Sequence, residues 1–163
     1  MQVTILRLFF ILIIVGGFYS SAFAQLTSSE FKSMSKSADL IITGKVTQQN
    51  SNWNENKTRI YTTATIQVEE SIKGNSQSLV EVLFLGGEVG DVGELYTHMP
   101  KFENNGEVLV FLKKDEKSTS YKVLNGEDGK INVLTDPKTG EKVTTSNVQI
   151  NTLKAQIKSY IND

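Results

Sequence analysis

Residues 59–70 alternate between apolar and polar side chains with a period of two, and this pattern restricts the fold more than any other feature. Ile60, Ala64 and Ile66 share one face, whereas Tyr61 and Thr63 point to the other. The run is rich in threonine and β-branched residues, which suit a pleated surface that is buried on one side. It therefore predicts a β-strand with one face toward a core.

Further segments along the chain also predict short strands. Residues 40–47 alternate in the same way, and residues 79–85 and 108–112 are apolar at nearly every position. Continuous apolar runs of that length are typical of strands buried on both faces. The remaining strand-like segments are residues 121–124 and 130–134, followed by a hairpin with its tip at 136–140 and a return through Val143.

Two amphipathic helices are predicted on either side of these strands. Ser28 or Ser29 can cap a short first helix that ends near residue 38 and carries Phe31 and Met34 on one side. Thr145 or Ser146 would cap a final helix, whose apolar stripe consists of Val148, Leu153, Ile157, Tyr160 and Ile161. Six or so short strands between two helices predict a mainly β fold with flanking helices, either a small barrel or a sandwich.

The first 24 residues have the layout of an export signal. Arg7 precedes an apolar run over residues 8–18, and the small-x-small sequence Ala22-Phe23-Ala24 follows. The run is about half the length that a membrane-spanning helix needs. We therefore expect cleavage after Ala24, an alternative being an uncleaved anchor, and a secreted or periplasmic product. Residues 25–163 then form one domain without a later membrane span.

Charge and cysteine content narrow the class of protein further. Without Arg7 the chain has 16 basic and 18 acidic residues, a formal charge of −2, whereas general nucleic-acid binding needs a basic surface. The sequence has no cysteine, so an exported domain of this kind gains its stability from burial and not from disulfides. Nucleic acid is therefore not an expected partner.

No constellation of residues predicts catalysis, a cofactor or a metal. His98 is the only histidine, and the sequence has no Gly-x-Ser-x-Gly elbow, phosphate loop or dinucleotide fingerprint. A conventional zinc site usually includes more than one imidazole. The expectation is a protein that is not an enzyme and has no cofactor.

Two loops are the predicted candidates for a ligand or partner surface. Polar residues 48–57 surround the single tryptophan, Trp53, and a flexible glycine-rich stretch occupies residues 86–100. The candidate surface residues are Trp53, Tyr61, Glu88, Asp91, Tyr96 and His98. Alternatives remain open: Glu88, Asp91, Glu94 and His98 either hold a divalent cation or are solvated beside turns, and Trp53 either binds a ligand or caps a barrel.

Short motifs resemble those of secreted bacterial domains of the netrin-like, tissue-inhibitor-of-metalloproteinases-like type. The resemblance is carried by Ala38-Asp39 before an apolar strand, by Glu69-Glu70 followed by Lys73-Gly74, and by Gly106-Glu107 before the apolar residues 108–112. It implies an OB-like small β-barrel with a short N-terminal helix and a C-terminal amphipathic helix. Inhibition in that family uses an amino-terminal cysteine that chelates the zinc of the peptidase, and this chain has no cysteine.

These patterns together lead to two hypotheses about function. The first is an exported, non-enzymatic binding domain whose partner is another exported protein or an extracellular polymer. The second is a peptidase inhibitor that acts through a loop.

Overall fold

The computed structural model describes residues 28–116 and 118–163, which form the following elements. The helices are α1 (Ser28–Ser37) and α2 (Ile150–Asn162), and a 3-10 helix spans Gly126–Gly129. The strands are β1 (Leu40–Trp53), β2 (Ile60–Lys73), β3 (Leu79–Leu85), β4 (Gly87–Val89), β5 (Val92–Glu94), β6 (Glu107–Lys114), β7 (Tyr121–Val123), β8 (Lys130–Thr135) and β9 (Lys142–Thr144).

Five of these strands close into a barrel in the order β1-β2-β3-β7-β6, with β6 pairing back to β1. All neighbours are antiparallel except β3 and β7, which are parallel and pair at Val82 and Tyr121. This is the arrangement of an OB-type barrel, so the predicted fold class is confirmed. Strands β8 and β9 extend the sheet from β6.

The barrel interior is filled by the apolar faces that alternation predicts. Leu40, Ile42 and Val46 of β1 meet Ala64 and Ile66 of β2, and all five side chains are almost completely buried. Because successive side chains of a strand point to opposite faces, β6 supplies Val108, Val110 and Leu112 to the interior and Leu109 and Phe111 to the outside.

Both helices cover the outer face of β6 and form a second apolar cluster there. The Phe31 ring of α1 meets the Phe111 ring edge-on at 5.4 Å between centroids, and Tyr160 of α2 approaches Phe31 at 6.3 Å. Ile150 and Ile157 of α2 are buried in the same cluster. β6 is therefore buried on both faces, as its continuous apolar sequence predicts.

The predicted loop at residues 48–57 is wrong, because β1 continues to Trp53. That residue pairs with Ile60 at the end of a long β1–β2 ribbon. The turn itself is short: the amide of Asn54 donates to the carbonyl of Arg59 at 2.8 Å. Backbone hydrogen bonds between strands do not require apolar side chains. The end of β1 lies beyond the core and carries polar side chains, so the hydrophobic pattern did not predict it as a strand.

Three other expectations also need correction. Residues 86–100 are not simply an irregular stretch, since they contain the hairpin β4–β5. In β3 the side chains of Val80 and Val82 are buried whereas Leu79 is 53% exposed, so this strand is buried on one face. Helix α2 begins after an N-cap at Gln149 and not at Thr145 or Ser146, and Val148 before it is 39% exposed.

The predicted export signal at residues 1–24 lies outside the described residues. Across residues 28–116 and 118–163, no helix has both the length and the apolar character that crossing a bilayer requires.

Candidate functional site

An open groove of about 690 Å³ lies at the end of the barrel, where the β1–β2 ribbon, the end of β3 and the β4–β5 hairpin meet. The segment that follows β5 forms its other wall. The lining residues are Gln49, Ser51, Thr62, Phe84, Leu85, Gly86, Gly87, Glu88, Gly93, Glu94, Leu95, Tyr96, Met99, Pro100, Lys101 and Phe102.

A pair of glycines turns the chain from β3 into the hairpin that forms one wall. Gly86 has a φ of 97° and Gly87 a φ of 125°, values that side-chain-bearing residues rarely adopt. A Cβ atom on Gly87 would also overlap the hydroxyl oxygens of Ser51 and Thr62. Glycine is therefore required here both for the backbone conformation and for the close approach of β4 to the ribbon.

Side chains replace ladder hydrogen bonds at the point where β3 leaves β2. The amide of Gly86 donates to the carbonyl of Ile60 at 2.8 Å, but the reciprocal bond is not made. Instead, the amide of Ile60 donates to Glu94 Oε2 at 3.0 Å, and Thr62 Oγ1 donates to the carbonyl of Gly86 at 2.6 Å. One carboxylate and one hydroxyl thus add to the Gly86–Ile60 backbone bond in holding the hairpin to the barrel.

The hydroxyls of Ser51 and Thr62 form a short chain behind this turn. Their oxygens are 2.8 Å apart. A hydroxyl has one proton, and that of Thr62 goes to Gly86, so Ser51 must be the donor to Thr62. The chain satisfies the buried carbonyl of Gly86 and fixes the wall of the groove.

Glu94 is also bound to the aromatic residue that follows it in the groove. The Tyr96 hydroxyl donates to Glu94 Oε2 at 2.8 Å. The amide of Ile60 and then this hydroxyl hold the pKa of Glu94 below its ordinary value, and the hydrogen bond to the carboxylate raises the pKa of Tyr96. Glu94 is therefore an ionised anchor at neutral pH.

Aromatic rings form the floor of the groove. Phe102 is buried, and its centroid lies 5.6 Å from that of Phe84 in a tilted arrangement. Lys130 Nζ lies 5.8 Å from the Phe102 centroid and donates to the carbonyl of Lys101 at 2.6 Å. Burial lowers the pKa of Lys130. This lysine thus contacts both a ring of the floor and the backbone next to it.

The rim combines engaged polar groups with exposed charged and apolar ones. Gln49 Nε2 donates to the carbonyl of Phe102 at 3.1 Å, so its amide is already used within the wall. Glu88 and Lys101 are exposed, and Leu95 is 84% exposed. Leu95 therefore presents an exposed apolar side chain beside the apolar floor of the groove.

The structure brings some of the six predicted surface residues together and separates others. Glu88 and Tyr96 line the groove. Tyr96 and His98 line an adjoining depression of about 360 Å³, whereas Tyr61 lines a different one of about 310 Å³ beside β3 and β7. Trp53 is half-buried at the end of β1, and Asp91 is exposed in the turn of the hairpin; neither lines these three cavities.

The backbone of His98 contributes to the structure of the loop that contains it. Its φ is 62°, and its carbonyl accepts the amide of Glu127 at 3.0 Å. In the described part of the chain, no three or more carboxylate or imidazole side chains gather as a metal site would require.

The two candidate loops predicted from the sequence supply most of the groove lining. Residues 48–57 contribute Gln49 and Ser51, and the larger share comes from residues 86–100. The sequence analysis did not find Thr62 and Phe84, because both lie within strand patterns, or Phe102, which follows the second loop.

A scan of protein families and a search of curated proteins both found no match for this chain.

Proposed function

We propose that this chain is an exported, non-enzymatic binding domain of the netrin-like type, and that the groove at the end of its barrel holds an exported protein or an extracellular polymer. In this proposal residues 1–24 are removed and residues 25–163 act outside the cytoplasm. The observation that carries it is the groove itself, an open concave surface with an apolar floor on a rigid barrel.

The contacts of the motif residues support the netrin-like relationship. Lys73 Nζ donates to the carbonyls of Ser35 and Lys36 at the end of α1, at 3.1 and 2.6 Å. Gly74, with a φ of 76°, packs against the carbonyl of Asp39. The Ala-Asp and Lys-Gly motifs therefore meet in space and join α1 to the barrel, a reason for them to recur together in a fold.

Asp39 extends this junction to β6. Its carboxylate accepts Lys113 Nζ at 2.8 Å and the amide of Lys114 at 3.0 Å, and these contacts hold the pKa of Asp39 below its ordinary value. The motif residues thus stabilise the fold at a place remote from the groove. Separate residues for fold and for binding are what we expect of a fold that is shared by proteins with different ligands.

The chemistry of the groove favours binding over catalysis. A general base is most effective when its pKa lies near the working pH, but the pKa of Glu94 is displaced downward. Ser51 donates its proton to another hydroxyl and not to a base, so nothing in that contact activates it as a nucleophile.

Crosslinking of residues 25–163 to the exported fraction of the native cells tests the proposal. Leu95→Ser changes the groove, and Leu134→Ser, at a half-exposed leucine of β8, is the matched control. We expect discrete crosslinked products that L95S reduces and L134S preserves. Equal products from both variants would contradict a role for the groove.

The export step has a separate test. Mass spectrometry of the protein purified from its native source should give an amino terminus at Gln25. A terminus at Met1 would contradict cleavage after Ala24.

One observation favours a second function, inhibition of a peptidase through a loop. Leu95 is exposed between Glu94 and Tyr96, which are joined to each other by a hydrogen bond. An exposed side chain on a preorganised segment loses little entropy on binding. Titration of peptidases with apolar primary pockets would reveal inhibition that L95A removes, and no inhibition at high excess would refute this candidate.

A further inference from the structure

We infer that the groove accepts a peptide segment in which apolar side chains stand beside a lysine or arginine. This inference rests on the proposed function and names the class of ligand. It follows from which groups of the groove are already used by the protein and which remain for a ligand.

The hydrogen-bonding groups of the walls are largely engaged within the protein. Ser51 and Thr62 bind each other and Gly86, and Gln49 binds Phe102 and, at 3.2 Å, Asn104. A polyhydroxylated ligand such as a saccharide needs many such groups to replace its hydration. The engaged walls therefore argue against a sugar.

Apolar contact is what the groove offers in quantity. Leu85, Met99 and Pro100 join the two phenylalanines of the floor, and Leu95 projects beside them. Burial of aliphatic and aromatic side chains is the main source of affinity at such surfaces. Leucine, methionine or phenylalanine side chains of a peptide meet that condition.

The charged residues of the groove favour a ligand that has a lysine or arginine next to its apolar side chains. Glu88 and Glu94 line the groove from the hairpin, and Arg59 lies close enough to Glu94 to offset its charge, so Glu88 is the carboxylate that remains for a ligand. Lys101 is the cation of the opposite wall. A lysine or arginine beside the apolar side chains of the ligand would therefore meet Glu88, whose side chain is exposed.

Fluorescence anisotropy of residues 25–163 with defined peptides tests the inference. The probe has the core Lys-Leu-Phe-Leu-Lys, and its two relatives replace lysine by glutamate or the apolar core by Ser-Asn-Ser. We expect saturable binding of the first peptide, at least tenfold weaker binding of the acidic peptide, and no saturation with the polar peptide. Higher salt should weaken the first interaction, because the charged contacts are exposed.

Two charge variants should change the affinity for the basic peptide in opposite directions, which a merely structural effect would not do. Glu88→Gln should weaken binding of the basic peptide about threefold, whereas Lys101→Gln should strengthen it by a similar factor. Glu81→Gln, at an exposed position of β3 outside the groove, is the control and should change nothing. Leu95→Ser should weaken binding roughly tenfold.

The outcomes separate this inference from the proposed function. Equal binding of the basic and acidic peptides, or identical effects of E88Q and K101Q, would overturn the charge selection. Saturable binding of maltohexaose that L95S abolishes would overturn the peptide class while the groove remained a binding site. Absence of binding by every probe would overturn the inference, and the crosslinking experiment would still decide the proposed function.

Discussion

Thr62→Val tests whether the hydroxyl chain at the groove is needed for the fold of its wall. Valine has nearly the shape of threonine, so the substitution removes the hydroxyl without leaving a cavity. Thr62 is 4% exposed, and its hydroxyl is the donor to the carbonyl of the buried Gly86. The variant leaves that carbonyl without this donor and Ser51 without its acceptor.

The expected cost can be worked from these contacts. A buried polar group that loses its partner costs about 1–3 kcal/mol, and an ordinary hydrogen bond contributes about 1 kcal/mol net. The half-buried Ser51 can turn toward water, so the Gly86 carbonyl dominates. We expect a loss of about 2 kcal/mol in the free energy of unfolding, which is a fall in Tm of roughly 6–10 °C for a domain of this size.

Urea denaturation of residues 25–163, followed by circular dichroism, gives the measurement. Thr63→Val is the matched control, because Thr63 is the next residue of β2 and points to the other face; it should shift stability by less than about 0.5 kcal/mol. The double variant with Ser51→Ala should be less destabilised than the sum of the two single changes. If the free energies of unfolding of T62V and T63V differ by less than about 0.5 kcal/mol, the hydroxyl chain does not stabilise the wall as described.

Three further perturbations test the contact of Gly74 with Asp39, the Glu94 carboxylate and the packing of α2. Gly74→Ala should cost at least about 1 kcal/mol more than Gly140→Ala in urea unfolding, because both positions have positive φ but only the former meets a carbonyl oxygen; equal losses would exclude that contact. Folding lowers the pKa of Glu94, so the stability that its carboxylate contributes is present above the ordinary carboxyl pKa and is lost as the pH falls through the lowered pKa. The NMR chemical shifts of the amides at the start of β2 should follow this titration, and E94Q should abolish it. Ile157→Ala should lower the free energy of unfolding by about 2–5 kcal/mol and Val148→Ala by less than about 1, measured thermally; similar values would contradict the placement of α2.

The faces of the strands could be predicted from the sequence because alternation is a local property. Ile60, Ala64 and Ile66 were assigned to one face of β2, and all three are buried. The apolar run in β6 likewise predicted burial on both faces, since it lies between the barrel interior and the helices. Geometry along one strand determines these positions without reference to a partner.

The two loops that line the groove could be proposed from the sequence, but the way in which they meet could not. The anchor of its wall joins Glu94 to the amide of Ile60, 34 residues away in sequence, and no local pattern encodes that pairing. The extension of β1 to Trp53 is another such case, since the partner strand and not the polar side chains sustains it. Site residues were therefore chosen by residue type, and of the six, Glu88 and Tyr96 line the groove.

The sequence by itself determined the class of fold, the inward faces of the strands and the two flanking helices, because periodicity of 2 and 3.6 residues is written in neighbouring positions. The tertiary structure decided where β3 ends, how the glycine pair turns β4 against the ribbon, and which polar groups are left for a ligand. The physical reason is that a hydrogen bond or a close approach needs two partners, and here folding brings them from distant parts of the chain.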